Sequence, residues 1–162
     1  MRTSVVFLIG LLFGSAISTV LAQGNKLPGT TSVNHVAMSV DNFDEALAFY
    51  TQKMGFREVL NMHNDQNQPT LAFVQASRDT FLELAPSNAN RPVGITHFGL
   101  LVEDINGTVA ALRQRGVVVT DPRSVGNQWM VANVTAPGGI RIELTQLGPE
   151  SVPMKAAASW EK

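Results

Sequence analysis

Ser32-Val33-Asn34-His35-Val36-Ala37-Met38-Ser39-Val40-Asp41 is answered further along the chain by Gly94-Ile95-Thr96-His97-Phe98-Gly99-Leu100-Leu101-Val102-Glu103. Phe81-Leu82-Glu83-Leu84 is answered in the same way by Arg141-Ile142-Glu143-Leu144. His35 and His97 are 62 positions apart, and Glu83 and Glu143 are 60 apart. One such match arises easily by chance. Two in equivalent places indicate a duplicated unit, each copy with an early histidine and a late glutamate.

The elements around these fragments repeat as well. Residues 32–40 alternate like a strand, with His35, Val33, Ala37 and Ser39 on one side and Asn34, Val36, Met38 and Val40 on the other. Asn42 and Glu45 form a capping box for a helix whose apolar stripe is Phe43, Leu47, Tyr50 and Met54 and whose stop is Gly55. Strands are expected at 57–62, 70–75 and 80–84, joined by turn-like polar segments. After a polar linker at 87–93 the cycle restarts: a strand at 95–102, a helix at 104–115 ended by Gly116, and strands at 117–120, 128–134 and 140–146. Each half is strand, helix, three strands. The tail from Gly148 has no evident partner, with a short helix expected at 156–160.

Alternation gives the four repeated polar residues a common direction. Glu83 shares a face with Phe81, while Leu82 and Leu84 face away. Glu143 shares a face with Arg141 and Thr145, while Ile142 and Leu144 face away. The aliphatic faces pack on the helices, so the histidines and glutamates point into a concave surface. Two unpaired carboxylates there would cost several kcal/mol each, on the order expected for buried charge. A divalent cation removes that cost, and imidazole with carboxylate suits Zn, Ni, Co, Mn or Fe. The alternative is structural: Arg141 pairs with a glutamate and makes the cluster a salt bridge. His63 lies in a polar run and reads as a loop residue.

The 162 residues are 44% hydrophobic and 15% charged, which allows a packed core. A net charge of -1 gives no electrostatic reason to expect nucleic acid, and no polybasic run suggests a membrane surface. The absence of cysteine excludes thiolate metal sites and thiol nucleophiles. Residues 1–22 read as a signal peptide: Arg2 precedes an apolar stretch, and Val20-Leu21-Ala22 resembles a cleavage site before Gln23. An uncleaved anchor is the other reading. Either way the expected location is secreted or periplasmic, with membrane contact only through that segment. Residues 23–31 are a linker, 32–147 the folded domain (modules 32–86 and 94–147) and 148–162 a tail.

The chain resembles the vicinal oxygen chelate superfamily, which includes glyoxalase I, fosfomycin-resistance transferases, methylmalonyl-CoA epimerase, extradiol dioxygenases and bleomycin-binding proteins. The resemblance spans residues 32–147. It rests on Asn34-His35-Val36-Ala37-Met38-Ser39-Val40, on Ala48-Phe49-Tyr50 with Met54-Gly55-Phe56, on Thr96-His97, and on Ala136-Pro137-Gly138-Gly139-Ile140-Arg141-Ile142-Glu143-Leu144. It implies an α+β fold, two βαβββ modules forming a curled eight-stranded sheet around a metal site. The set His35, Glu83, His97 and Glu143 matches glyoxalase I, which implies Glu143 as proton-transfer base and Glu83 as a ligand that can return the proton. Ser39 and Ser87 stand where bacterial glyoxalase I enzymes usually carry an arginine and an asparagine for glutathione, which withholds that substrate. Candidate pocket residues are Phe73, Phe81, Trp129, Met130 and Arg141.

Three functions follow as expectations. The first is an exported metal-dependent lyase or isomerase acting on a small oxygenated substrate. The second is a dioxygenase or group transferase using His35, His97 and Glu143 alone. The third is a non-enzymatic protein that sequesters a small molecule. In this superfamily modules close on each other or swap between chains, so a homodimer is compatible.

Overall fold

The computed structural model describes residue 27 and residues 29–160. The segment read as a signal peptide lies outside the described residues. Among those that are described, no helix is long and apolar enough to cross a membrane.

The first module runs β1 (Thr30–Val40), α1 (Phe43–Ala48), β2 (Arg57–His63), β3 (Pro69–Ser77) and β4 (Thr80–Pro86). The second runs β5 (Gly94–Val102), α2 (Ile105–Gln114), β6 (Arg123–Gly126), β7 (Trp129–Thr135) and β8 (Arg141–Leu147), followed by α3 (Val152–Ala158). All eight strands join one sheet in the order β2-β3-β4-β1-β5-β8-β7-β6. Within each module the first strand pairs parallel with the last, β1 with β4 and β5 with β8. The modules meet where β1 and β5 pair antiparallel. The expected α+β duplication is therefore present, with both copies in one chain.

The caps behave as their residues require. Asn42 Oδ1 accepts from the Glu45 amide at 3.2 Å, and the Glu45 carboxylate accepts from the Asn42 side-chain amide at 3.0 Å. Asp104 Oδ1 accepts from the Asn106 amide at 3.1 Å and starts α2. The first helix does not continue regularly to Gly55. It widens into a π turn over Phe49–Lys53, and Thr51 Oγ1 donates to the Leu47 carbonyl at 2.8 Å. A hydroxyl at that carbonyl competes with the α-helical ladder and bends it.

Two layers of apolar packing lie on the helix side of the sheet. Phe43 packs with Ala72, Val74 and Leu84 under α1, joined by Met38 and Val40. Ile105 and Val109 of α2 pack with Val102, Ala132, Val134 and Leu144. The third cluster is Phe73, Phe81, Trp129, Val131 and Ala156, on the concave side. These partitions follow the strand alternation.

Two expectations need correction. Residues 117–120 do not form a ladder strand: Val119 makes only an isolated bridge to Val134. Pro122 follows Thr120 by two residues and has no N–H to continue pairing. The strand resumes at Arg123–Gly126, antiparallel to β7. The C-terminal tail, for its part, does have a partner. Its helix spans Val152–Ala158 and buries Ala156 against the concave cluster. Arg57 ties its end, donating to the carbonyls of Ala156 at 2.6 Å and Ser159 at 3.3 Å, where helix carbonyls lack internal partners.

Candidate metal centre

Strand register arranges the repeated residues in two rows across β4-β1-β5-β8. One row reads Glu83, Ala37, His97, Arg141. The next reads Phe81, His35, Gly99, Glu143. Each histidine therefore stands opposite a small residue of the other module. The two small residues are themselves repeat partners, each two positions after a histidine.

That smallness is required. A Cβ built on Gly99 would lie 2.1 Å from Cε1 and 2.3 Å from Nδ1 of His35. In a close-packed interior such an overlap forces the ring or the backbone to move. Gly99 is the seat of the His35 imidazole. The sequence signal was available in His97-Phe98-Gly99 against His35-Val36-Ala37, but its meaning depends on register between modules.

His35 is fully buried, and its Nδ1 lies 3.1 Å from Asn34 Oδ1. An amide oxygen only accepts, so Nδ1 carries the proton and Nε2 presents its lone pair. Asn34 is held in turn by donating to the Asp79 carbonyl at 3.4 Å. The bend in β1 between Val33 and His35 lets both neighbours reach the same region, although simple alternation separates them. His97 Nε2 lies 3.1 Å from His35 Nε2. Its Nδ1 meets Thr96 Oγ1 at 3.2 Å and the Arg141 guanidinium.

The carboxylates complete the group. Donor atoms of His35, Glu83 and His97 all lie within 4.8 Å of one another. Glu143 stands outside that mutual set, with Oε1 3.7 Å from His35 Nε2. Glu83 Oε2 is 4.0 Å from His97 Nε2.

Burial decides the charges. Desolvation, aided by the Arg141 charge, lowers the His35 pKa to about 4. Desolvation, Arg141 and then His35 lower that of His97 to about 3. Both imidazoles are neutral at pH 7. Because a guanidinium only donates, the Arg141 contact at Nδ1 leaves the His97 proton on Nε2, so His35 alone presents its Nε2 lone pair without a change of tautomer. Burial and then Glu143 raise Glu83 to about 7, against the opposing pull of Arg141 and Arg91. Burial also raises Glu143, opposed by Arg141 and Arg123. Two neutral imidazoles with paired buried carboxylates form a donor set that a divalent cation fits.

The raised carboxylates predict a pH dependence. A proton on Glu83 competes with the cation, so apparent zinc affinity falls as pH drops below about 7, by up to about tenfold per unit for each proton displaced. The histidines stay neutral to about 4 and add nothing to the slope above pH 5. Competition titrations at pH 6, 7 and 8 measure it, and a flat profile would contradict this assignment.

A cavity of about 240 Å³ opens beside the cluster. Its walls include Glu83, His97, Arg141 and Glu143, with Phe73 and Trp129 on the apolar side. Trp129 is anchored by donating from Nε1 to Thr145 Oγ1 at 2.9 Å. Three of the five expected pocket residues, Phe73, Trp129 and Arg141, line it. Phe81 does not; it sits in the buried cluster with its ring 5.8 Å from that of Phe73. Met130 is turned to the opposite face and packs under α2, as its parity with Trp129 dictates. The lining residues that the sequence reading did not name include two cations, Arg91 from the linker and Arg123 from the displaced β6.

Comparison with known proteins agrees with this fold. Residues 32–144 match the family model described as "Glyoxalase/Bleomycin resistance protein/Dioxygenase superfamily". The chain is 30% identical over 121 residues to a "Probable lactoylglutathione lyase" of Vibrio cholerae, covering 69% of this chain and 88% of that protein. A "Probable lactoylglutathione lyase, chloroplastic" of Arabidopsis thaliana is 26% identical over 129 residues. There the match spans 74% of this chain and only 37% of the plant protein. Among solved structures, methylmalonyl-CoA epimerase from Mycobacterium tuberculosis superposes with a TM-score of 0.64 at 23% identity. That superposition covers 85% of this chain and 99% of the epimerase.

Proposed function

The chain belongs to the Glyoxalase/Bleomycin resistance protein/Dioxygenase superfamily, and from that premise we propose a divalent-metal-dependent enzyme that moves a proton within a small oxygenated substrate. His35, Glu83 and His97 would hold the cation, with Glu143 beside it. A cation in this place supplies Lewis-acid polarisation of a substrate oxygen, which lowers the barrier to removing a proton from the neighbouring carbon.

The chain's own residues supply the proton steps. Glu143 takes the proton from carbon; its raised pKa makes it a better base than an exposed carboxylate. The same group, or Glu83 in the same cavity wall, returns it to the adjacent carbon. Phe73 and Trp129 exclude water on the apolar side. Asn34 and Gly99 orient His35 without touching substrate.

One observation carries this reading: Glu83 is inside the mutual donor group and Glu143 stands just outside it. The geometry suits a third ligand at Glu83 and a freer base at Glu143. It suits less well a site of His35, His97 and Glu143 alone, the arrangement expected of an oxygenase or transferase. Elemental analysis of the protein and of Glu83→Gln separates them. Loss of about 100-fold or more in metal affinity is expected for the variant, because a ligand and not merely its support is removed. Undiminished metal content together with full turnover would favour the second reading.

A further inference from the structure

Arg91 reaches the cavity from the linker between the modules. Buried Ser39 donates through Oγ to the carbonyls of Arg91 at 3.1 Å and Pro92 at 2.6 Å. Asn88 and Arg91 close a tight turn with reciprocal backbone hydrogen bonds of 2.9 and 3.0 Å. Ser39 thus carries no cation itself but pins the turn that delivers one. Arg91 Nη2 donates to the Pro86 carbonyl at 2.7 Å, while its Nε is buried with no acceptor among the described residues. A buried guanidinium N–H without an acceptor is unfavourable unless a ligand supplies one.

The charges in the cavity do not balance. Its walls carry Arg91, Arg123 and Arg141 against Glu83 and Glu143. No described residue forms an ion pair with Arg91 or Arg123. Without a cation the guanidiniums outnumber the carboxylates. With a divalent cation the two carboxylates are cancelled and all three guanidiniums remain in surplus. The cavity is also small, about 240 Å³, and Ala156 of α3 fills the space behind its aromatic side.

We propose that this cavity recognises a compact oxyanion, a carboxylate or phosphate on a small molecule, with Arg91 as its anchor and Arg123 as a second contact. Guanidinium binds such groups through paired, charge-assisted hydrogen bonds, and Arg91 and Arg123 line the cavity without an ion-pair partner among the described residues. The proposal deepens the proton-transfer reading and rests on it for the reaction, but an arginine surplus is present with or without bound metal.

The test uses three probes of similar size: pyruvate, inorganic phosphate and uncharged hydroxyacetone. Binding is followed by Trp129 fluorescence in a Trp160→Phe background, with and without zinc. Pyruvate or phosphate is expected to bind at least about tenfold more tightly than hydroxyacetone, the stronger of the two identifying the oxyanion. Arg91→Met is expected to weaken that probe about tenfold or more while zinc affinity changes far less, Arg91→Lys to recover part of it, and Arg123→Met to weaken it less. Hydroxyacetone binding as tightly as both anions, or Arg91→Met leaving anion affinity unchanged, overturns the proposal. Failure to bind zinc with anion preference intact instead sinks the metal reading and leaves this one standing.

Discussion

Glu143→Gln is expected to lower turnover by about a thousandfold while leaving the fold and the metal in place. The substitution keeps the size and hydrogen-bonding reach of the side chain but removes its capacity to accept a proton from carbon. Exchange of the pyruvate methyl protons with D2O, read by NMR on the zinc-loaded protein, measures proton abstraction directly. Zinc affinity is expected to change far less than turnover, because His35, Glu83 and His97 form the mutual donor group without it. The metal-free variant is expected to melt no lower than the parent. Burial raises the Glu143 pKa, so the ionised carboxylate is an unfavourable group that glutamine removes. The raised Glu143 and Glu83 pKa values favour the metal-free fold at low pH. That contribution is lost as pH rises through the folded pKa, about 7 for Glu83. Undiminished exchange in Glu143→Gln would falsify the base assignment. Stoichiometric probe binding with no exchange even in the parent would instead favour a sequestering protein.

Much of this centre was legible in local sequence because strand alternation is a local rule. It put His35, Glu83, His97 and Glu143 on one face and Leu82, Leu84, Ile142 and Leu144 on the other, and the packing agrees. It also rules out one of Trp129 and Met130 as a cavity residue, since neighbours on a strand face opposite ways. What local reading lacks is register. The rows Glu83-Ala37-His97-Arg141 and Phe81-His35-Gly99-Glu143 exist only once β1 and β5 pair antiparallel. Arg141 occupies the place that Phe81 has in the first module, so the duplicated frame carries an apolar side chain at one end and a cation at the other. Arg123 was hidden because Pro122 moves the strand downstream. Arg91 was hidden because nothing in a polar linker says which way its turn is pinned; that depends on the Ser39 hydrogen bonds. The tail was hidden because Ala156 is too small to announce a burial that Arg57 completes from far away in sequence.

Gly99→Ala is expected to disable the metal centre as fully as loss of a ligand, although Gly99 donates nothing to a cation. The added methyl would sit 2.1 Å from His35 Cε1 and 2.7 Å from its Nε2, far inside any real contact. Either the ring swings off its position or β1 and β5 part at the centre of the sheet. The first costs the imidazole its bond from Nδ1 to Asn34 and removes Nε2 from the donor group. The second breaks the pairing that joins the modules. Overpacking of this kind typically costs about 1–3 kcal/mol of stability, which a domain of this size survives. Zinc affinity is expected to fall by about 100-fold or more, the upper end of what second-shell changes produce, because the ligand itself is displaced. Ala37→Gly supplies the control: it occupies the repeat-equivalent place opposite His97, where less bulk removes no donor. It is expected to keep zinc affinity within a few-fold while losing some stability to backbone entropy. Zinc titration with a parallel melting curve separates the outcomes. If Gly99→Ala retains parental zinc affinity, His35 is not held where its register places it, and the reciprocal packing of the two repeats is not what builds the site.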